Sequence, residues 1–175
     1  MDSALPTVYL RAMEPEDLDS LYQIENDPET WDVGTANVPY SRYVLYDYVA
    51  NSKNDIYADR QVRLIIEDAS HNVAGVIDLT NFEPKHLRAE VGIVVKHEYR
   101  RRGIALAAMR KIKAHAAEVI HLHQLYAYIG ADNYGSLRLF EKSGFDVCAR
   151  LKEWLYNGEK YKDAVLMQFF FKKSR

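Results

Sequence analysis

The residues Arg100-Arg101-Arg102-Gly103-Ile104-Ala105 set three cations and a glycine between an apolar run ending at Val95 and a segment rich in small residues. A strand, turn and helix in that order leave the first N–H groups of the helix without internal partners. Those amides, with the positive end of the helix dipole, can hold a pyrophosphate without any side chain. Gly103 removes the Cβ that would keep a phosphate at a distance, and Ala105 keeps the next turn equally lean. Arg100, Arg101 and Arg102 add charge at the mouth. An arginine run before a helix is also an ordinary solvated surface, so the turn gains meaning only from its surroundings. It lacks the Lys-Ser/Thr of a nucleotide-hydrolase loop, and the chain has no GxGxxG dinucleotide fingerprint.

A second constellation lies downstream. The stretch Asn133-Tyr-Gly-Ser136-Leu-Arg-Leu-Phe140-Glu-Lys-Ser-Gly144-Phe145 reads as a capped short helix closed by a glycine. Arg100-x-x-Gly103-x-Ala105 resembles the acetyl-CoA motif (Q/R)-x-x-G-x-(G/A) of the GNAT superfamily. The downstream stretch is similar to that family's second motif, N-x-x-(S/A)-x-x-(L/I)-Y-x-(K/R)-x-G-F, at the expected distance. The resemblance runs over about residues 8–171. It is nearest to the spermidine/diamine and Rim-type (ribosomal protein) acetyltransferases, and Leu155-Tyr156-Asn157-Gly158-Glu159 with Tyr161-Lys162-Asp163 resembles the C-terminal hairpin of the polyamine branch.

The resemblance implies an acetyl-CoA-dependent N-acetyltransferase in which an amine attacks the thioester directly within a ternary complex, with acetyl-CoA as cosubstrate. An alkylammonium has a pKa of about 10, so only about one molecule in a thousand is ready at neutral pH. Glu90, on the strand before the phosphate turn, is the candidate to remove that proton, through water. The alternative is a structural pairing of Glu90 with Arg88 or Arg101. Backbone N–H groups of Ile93, Val94 and Val95, with Val94 first by analogy, would stabilise charge on the thioester oxygen. Arg100 to Ala105 would hold the pyrophosphate, and Asn133, Ser136 and Phe140 would flank the pantetheine arm. Asn133 is equally read as a plain helix cap. Phe140 departs from the family, which often has a tyrosine there to return a proton to the leaving thiolate; phenylalanine has none to give.

Charge bears on the acceptor. Residues 14–60 carry eleven acids against Arg42, Lys53 and Arg60, a net of −8, whereas the whole chain is at −2. That field favours a cationic acceptor, a small polyamine such as spermidine or a basic protein N-terminus. The stretch Asn37-Val38-Pro39-Tyr40-Ser41 lacks acids that the polyamine branch often has in this loop. A non-catalytic acyl-CoA sensor is a competing reading. The near-neutral total disfavours a nucleic-acid partner. His115, His121 and His123 lack accompanying Asp or Cys, so no metal is expected. The thirteen tyrosines suit a core, a cation pocket or the interface of a homo-oligomer.

The elements that must position these groups follow from periodicity. Alternation predicts strands over Val8–Arg11, Gln61–Ile66, Val73–Phe82, Arg88–Val95, Gln124–Gly130, Phe145–Tyr156 and Tyr161–Phe171. Helical spacing predicts helices from Leu18 to about Asn26, over Tyr43–Ala50 after Ser41, from Gly103 to about Ile120, and after Asp132 or Asn133. Asn51–Asp59 reads as a connection, Ser70-His71-Asn72 as a hairpin turn, and Asn157-Gly158 as the turn of the last hairpin. The order β-α-α-β-β-β-α-β-α-β-β describes an α+β domain with a mixed, mainly antiparallel sheet flanked by helices. One domain over 1–175 is expected, in the cytoplasm, since no apolar run reaches membrane-spanning length and no signal-peptide pattern is present. Cys148, the single cysteine, is expected as a small packed hydrophobe.

Overall fold

The computed structural model describes residues 4–30 and 38–171. Seven strands form one sheet: β1 (Tyr9–Ala12), β2 (Val62–Glu67), β3 (Val73–Glu83), β4 (Arg88–Val95), β5 (Gln124–Gly130), β6 (Asp146–Tyr156) and β7 (Tyr161–Phe170). Their order across the sheet is β1-β2-β3-β4-β5-β7-β6. Five helices flank it: α1 (Leu18–Glu25), α2 (Arg42–Asn51), α3 (Ile56–Asp59), α4 (Ile104–Glu118) and α5 (Tyr134–Lys142). The α+β class and the element order agree with the sequence, apart from α3. That one-turn helix, capped by the Asp55 side chain on the Tyr57 N–H at 2.9 Å, lies inside the expected connection and is too short to show a period.

Every strand pairing is antiparallel except β4 with β5, which are parallel. They pair only through Arg88–Glu90 against Gln124–Tyr126, and beyond Glu90 they part. The sheet thus has two leaves, β1 to β4 and β5 to β6. One core lies beneath both: Ile77 and Leu79 of β3, Leu125 of β5 and Met167 of β7 are fully buried with Ala108, Met109 and Ile112 of α4. On the opposite face α1 and α2 cover only the first leaf, through Leu21, Ile24 and Leu45 against Ile65 and Val76.

Two readings of the sequence change here. Cys148 is exposed, because β6 is the outermost strand and pairs with β7 alone. The last hairpin turns on Gly158-Glu159, one residue later than expected. The Asn157 N–H donates to the Lys160 carbonyl at 3.3 Å, and within the turn the positive φ of 93° belongs to Gly158. The Asn157 side chain is used instead as an acceptor for the N–H groups of Glu159 and Lys160. Among the described residues, no helix is long and apolar enough to cross a membrane.

The entry to α1 carries a buried ion cluster. Arg11 of β1 donates two hydrogen bonds to Asp17, at 2.7 and 2.8 Å, and a third to Glu67. Burial alone would raise the Asp17 carboxyl; Arg11 and the Glu14 N–H outweigh it and hold the group below its ordinary 3.8. A carboxyl depressed in the folded state contributes stability that is present above the unfolded pKa and lost as pH falls through the folded one. The Tm is accordingly expected to hold above pH 3.8 and drop below it. Arg11→Met should lower the neutral-pH Tm and flatten that acid limb; an acid limb unchanged in the variant would place the sensitivity elsewhere.

Candidate active site

The parting of β4 from β5 opens a cleft of about 390 Å3. Along its floor run Glu90, Gly92, Ile93 and Val94 from β4, with Ala127 to Gly130 of β5 facing them. A parallel pair that separates leaves backbone N–H and C=O groups on the inner edges without ladder partners, so an extended amide-bearing arm can pair there as a strand would. One wall is α5, where Asn133, Ser136 and Phe140 recur at the spacing that puts them on one helix face. The sequence candidates Glu90, Ile93, Val94, Asn133, Ser136 and Phe140 therefore meet in one cavity.

Their individual settings differ from expectation in part. Glu90 pairs with neither Arg88 nor Arg101; its Oε2 accepts from the Asn81 amide at 2.8 Å. The Asn133 side chain accepts from the Ser136 N–H at 3.1 Å, so its oxygen is already spent as the α5 cap. Phe140 is buried edge-on against Phe145, with ring centroids 4.9 Å apart, and forms a dry end of the cleft. Tyr126 faces the same side of the sheet as Glu90; burial first, and then the Glu90 charge, push its phenol upward.

The phosphate turn lies beyond Val95. After a short 3-10 turn, His97–Tyr99, the chain passes Arg101 with φ 60° and Gly103 with φ 79° before α4 begins. The N-cap Gly103 has no side chain to cap α4, and the first turn of the helix holds no acid, so neither reduces the positive charge of the helix end. Such a turn fits a pyrophosphate. The fold adds a second reason for Gly103. A Cβ there would lie 3.0 Å from Pro6 Cδ and 3.7 Å from Leu5 Cδ2, so the glycine serves the positive φ and the packing of the N-terminal segment. Ile104 is buried under the turn and Ala105 is half-buried. Arg100 has partners within the protein. Its guanidinium donates to the Val95 carbonyl at 3.0 Å and to Glu29 at 2.6 Å, which ties the turn to the acidic segment. Arg101 and Arg102 remain exposed at the mouth.

The acceptor end holds residues that the sequence reading passed over. Arg63 of β2 makes a two-pronged bond to Asp78 of β3, at 2.7 and 2.9 Å, and a further one to Glu25 of α1. All three border the cleft, with Thr80, Tyr40 and Tyr128. Burial lowers the affinity of Arg63 for its proton, and the two carboxylates more than restore it, so the group stays charged. Counting from the turn does not reveal the pair: the hairpin closes on Asp68 and Asn72, and a register shift at Ile66/Glu67 is what sets Arg63 opposite Asp78. Asn26 clamps Tyr40 through hydrogen bonds of 3.0 and 2.8 Å, closing the base of the connecting loop. Asp32, Gly34 and Asn37 of the acidic segment lie outside the described residues. Among the described residues no group of three His, Cys, Asp or Glu converges as a metal site.

Comparison with known proteins agrees with this geometry. The model of the Acetyltransferase (GNAT) domain matches residues 7–146. The spermidine N(1)-acetyltransferase of Escherichia coli (strain K12) is 27% identical over 168 residues, covering 94% of this chain and 86% of that protein. The crystal structure of spermidine N-acetyltransferase from Vibrio cholerae in complex with CoA and spermine superposes with a TM-score of 0.82 at 24% identity, over 93% of this chain and 95% of that one. A dodecameric structure of the Vibrio cholerae enzyme in an intermediate state gives 0.78 at 25% identity, over 93% of each chain.

Proposed function

Because this chain belongs to the GNAT acetyltransferase family, and is therefore an acetyl-CoA-dependent N-acetyltransferase, we propose that its acceptor is a small polyamine such as spermidine, acetylated by direct attack within a ternary complex. The observation that carries the reading is the cleft itself. A carboxylate, Glu90, stands where the two leaves part, in one cleft with Ile93 and Val94 and with the α5 face of Asn133, Ser136 and Phe140. Acetyl-CoA supplies an activated acetyl thioester. The turn from Arg100 to Ala105 and the α4 N-terminus hold its pyrophosphate, and Asn133, Ser136 and Phe140 line the arm. Glu90 takes the proton of the acceptor ammonium through water. The Val94 N–H is turned toward β3 by the alternation that runs from the Lys96–Ala74 hydrogen bond, so the Ile93 N–H, on the parted edge, is the donor to the oxygen of the attacked carbonyl. Phe140 offers no proton to the departing sulfur, but a thiol pKa of about 8.5 makes it a fair leaving group, with water as the proton source.

The excess of carboxylates at the acceptor end supports a cationic amine, as does the resemblance to a spermidine acetyltransferase over 94% of the chain. A single domain over residues 1–175 and a cytoplasmic location belong to the same reading. So does a homo-oligomer, supported by the dodecamer of the Vibrio cholerae enzyme and by exposed Trp154, Tyr156 and Tyr161 on the outer hairpin. Coenzyme-A release measured across spermidine, spermine, putrescine, amino acids and basic peptides tests the acceptor. Fast release with polyamines alone is expected. Preference for peptides with a basic N-terminus would move the assignment to Rim-type protein acetylation, and tight acetyl-CoA binding without release in any case would make the protein an acyl-CoA sensor.

A further inference from the structure

The acceptor half of the cleft contains a cation of its own. Glu25, Asp78 and Glu90 bring three carboxylates to its wall and Arg63 brings one guanidinium, which leaves two net negative charges among the described residues. The guanidinium is not a stray surface group. Its fork is closed on Asp78, its remaining nitrogen reaches Glu25, and its plane lies 5.7 Å from the Tyr48 ring centroid. The side chains of Arg63, Glu25 and Asp78 are exposed by only 21%, 18% and 16%, so water screens these charges weakly. Glu90, two strands away, accepts from the neutral Asn81 amide and has no salt-bridge partner among the described residues.

Resting on the acetyl-transfer reading above, we infer that Arg63 determines how much positive charge an acceptor can carry into the cleft. It occupies, as part of the protein, the position that a further substrate ammonium would otherwise take between Glu25 and Asp78. The cleft then matches an acceptor placing two cationic nitrogens inside it: the amine that reacts beside Glu90, and one more drawn by the residual charge at Glu25. A third cation must remain outside. Arg63 is thus a specificity-determining residue that need not touch the reacting atoms.

The test compares kcat/KM for butylamine, putrescine and spermidine, read as ratios, because a general loss of folding scales all three alike. Arg63→Met leaves three uncompensated carboxylates, and the spermidine-to-putrescine ratio is expected to rise about tenfold. Glu25→Gln removes one charge while keeping the Arg63–Asp78 fork, and the putrescine-to-butylamine ratio is expected to fall about tenfold. Arg63→Lys keeps the charge without the fork, and should lower the Tm with the ratios unmoved. Should Arg63→Met fail to fold, Glu25→Gln decides alone. Ratios within about twofold of wild type in folded variants, or a shift in Arg63→Lys equal to that in Arg63→Met, overturn the inference while acetyl transfer stands. A wild type that releases no coenzyme A with any of these amines overturns the transfer reading and this inference with it.

Discussion

Glu90→Gln is expected to lower kcat by about 10²- to 10⁴-fold, the range a positioned general base contributes, while the KM for acetyl-CoA stays nearly constant. The substitution keeps the size of the side chain, and the amide oxygen can still accept from Asn81, so the cleft should keep its shape. What is lost is a carboxylate able to receive a proton. The free-amine fraction of the acceptor rises tenfold per pH unit below a pKa of about 10, so the variant's rate should keep climbing with pH after the wild type has levelled. Coenzyme-A release measured from neutral to alkaline pH reads both features. A kcat within threefold of wild type, with the same pH profile, would put the base on another residue.

Gly75→Ala is expected to be as damaging by a different route. Gly75 of β3 stands opposite Val95 of β4, and a Cβ there would run into the Val94 carbonyl and lie 3.0 Å from Val95 Cα. Both obstacles are backbone, so the strands can relieve the contact only by moving apart. Overpacking costs about 1–3 kcal/mol, and the upper end corresponds to a Tm drop of roughly 6–12 °C in a chain of this size. The same movement displaces the β4 edge at Ile93 and Val94 that lines the cleft, and a misplacement approaching 1 Å costs about 10²-fold in rate. Gly92→Ala is the stability control, since its Cβ would meet only the Asp78 Oδ2 at 3.9 Å. Thermal melts and coenzyme-A release on both proteins check this. Equal Tm values for the two would show that β3 and β4 accommodate the methyl group freely.

These two residues also show what the sequence could reveal. Strand β4, Arg88–Val95, and strand β5, Gln124–Gly130, have the bounds that alternation and flanking turns predict, and Glu90 follows from its place ahead of the phosphate turn. The α5 face is legible for the same reason: Asn133, Ser136 and Phe140 keep helical spacing. Gly75 is not legible, because its constraint comes from the Val94 carbonyl on another strand and leaves no local mark. Gly103 is legible as a turn residue, but what crowds it, Pro6, lies far away in sequence. Arg100 is legible as a cation of the turn, but its pairing with Glu29 is not, because the two are far apart in sequence. Cys148 misleads because local composition does not say which strand is outermost. The pair Arg63 and Asp78 is hidden as well, since the register shift at Ile66/Glu67 decides that they face each other and the docking of α1 adds Glu25.

Three residue pairs, Arg88 to Glu90 with Gln124 to Tyr126, stitch β4 to β5, and at the same end the Leu87 carbonyl accepts from the His123 and Gln124 N–H groups. Everything else joining the two leaves passes through the core beneath, above all through α4. In the language of amide exchange, that seam is where protection is thinnest, because few cross-strand hydrogen bonds must break for it to open. On the function proposed above, it is also where the arm of acetyl-CoA would pair as a strand does. Occupancy therefore mends the sheet along its weakest line, and the protein's rigidity becomes a readout of whether acetyl-CoA is bound.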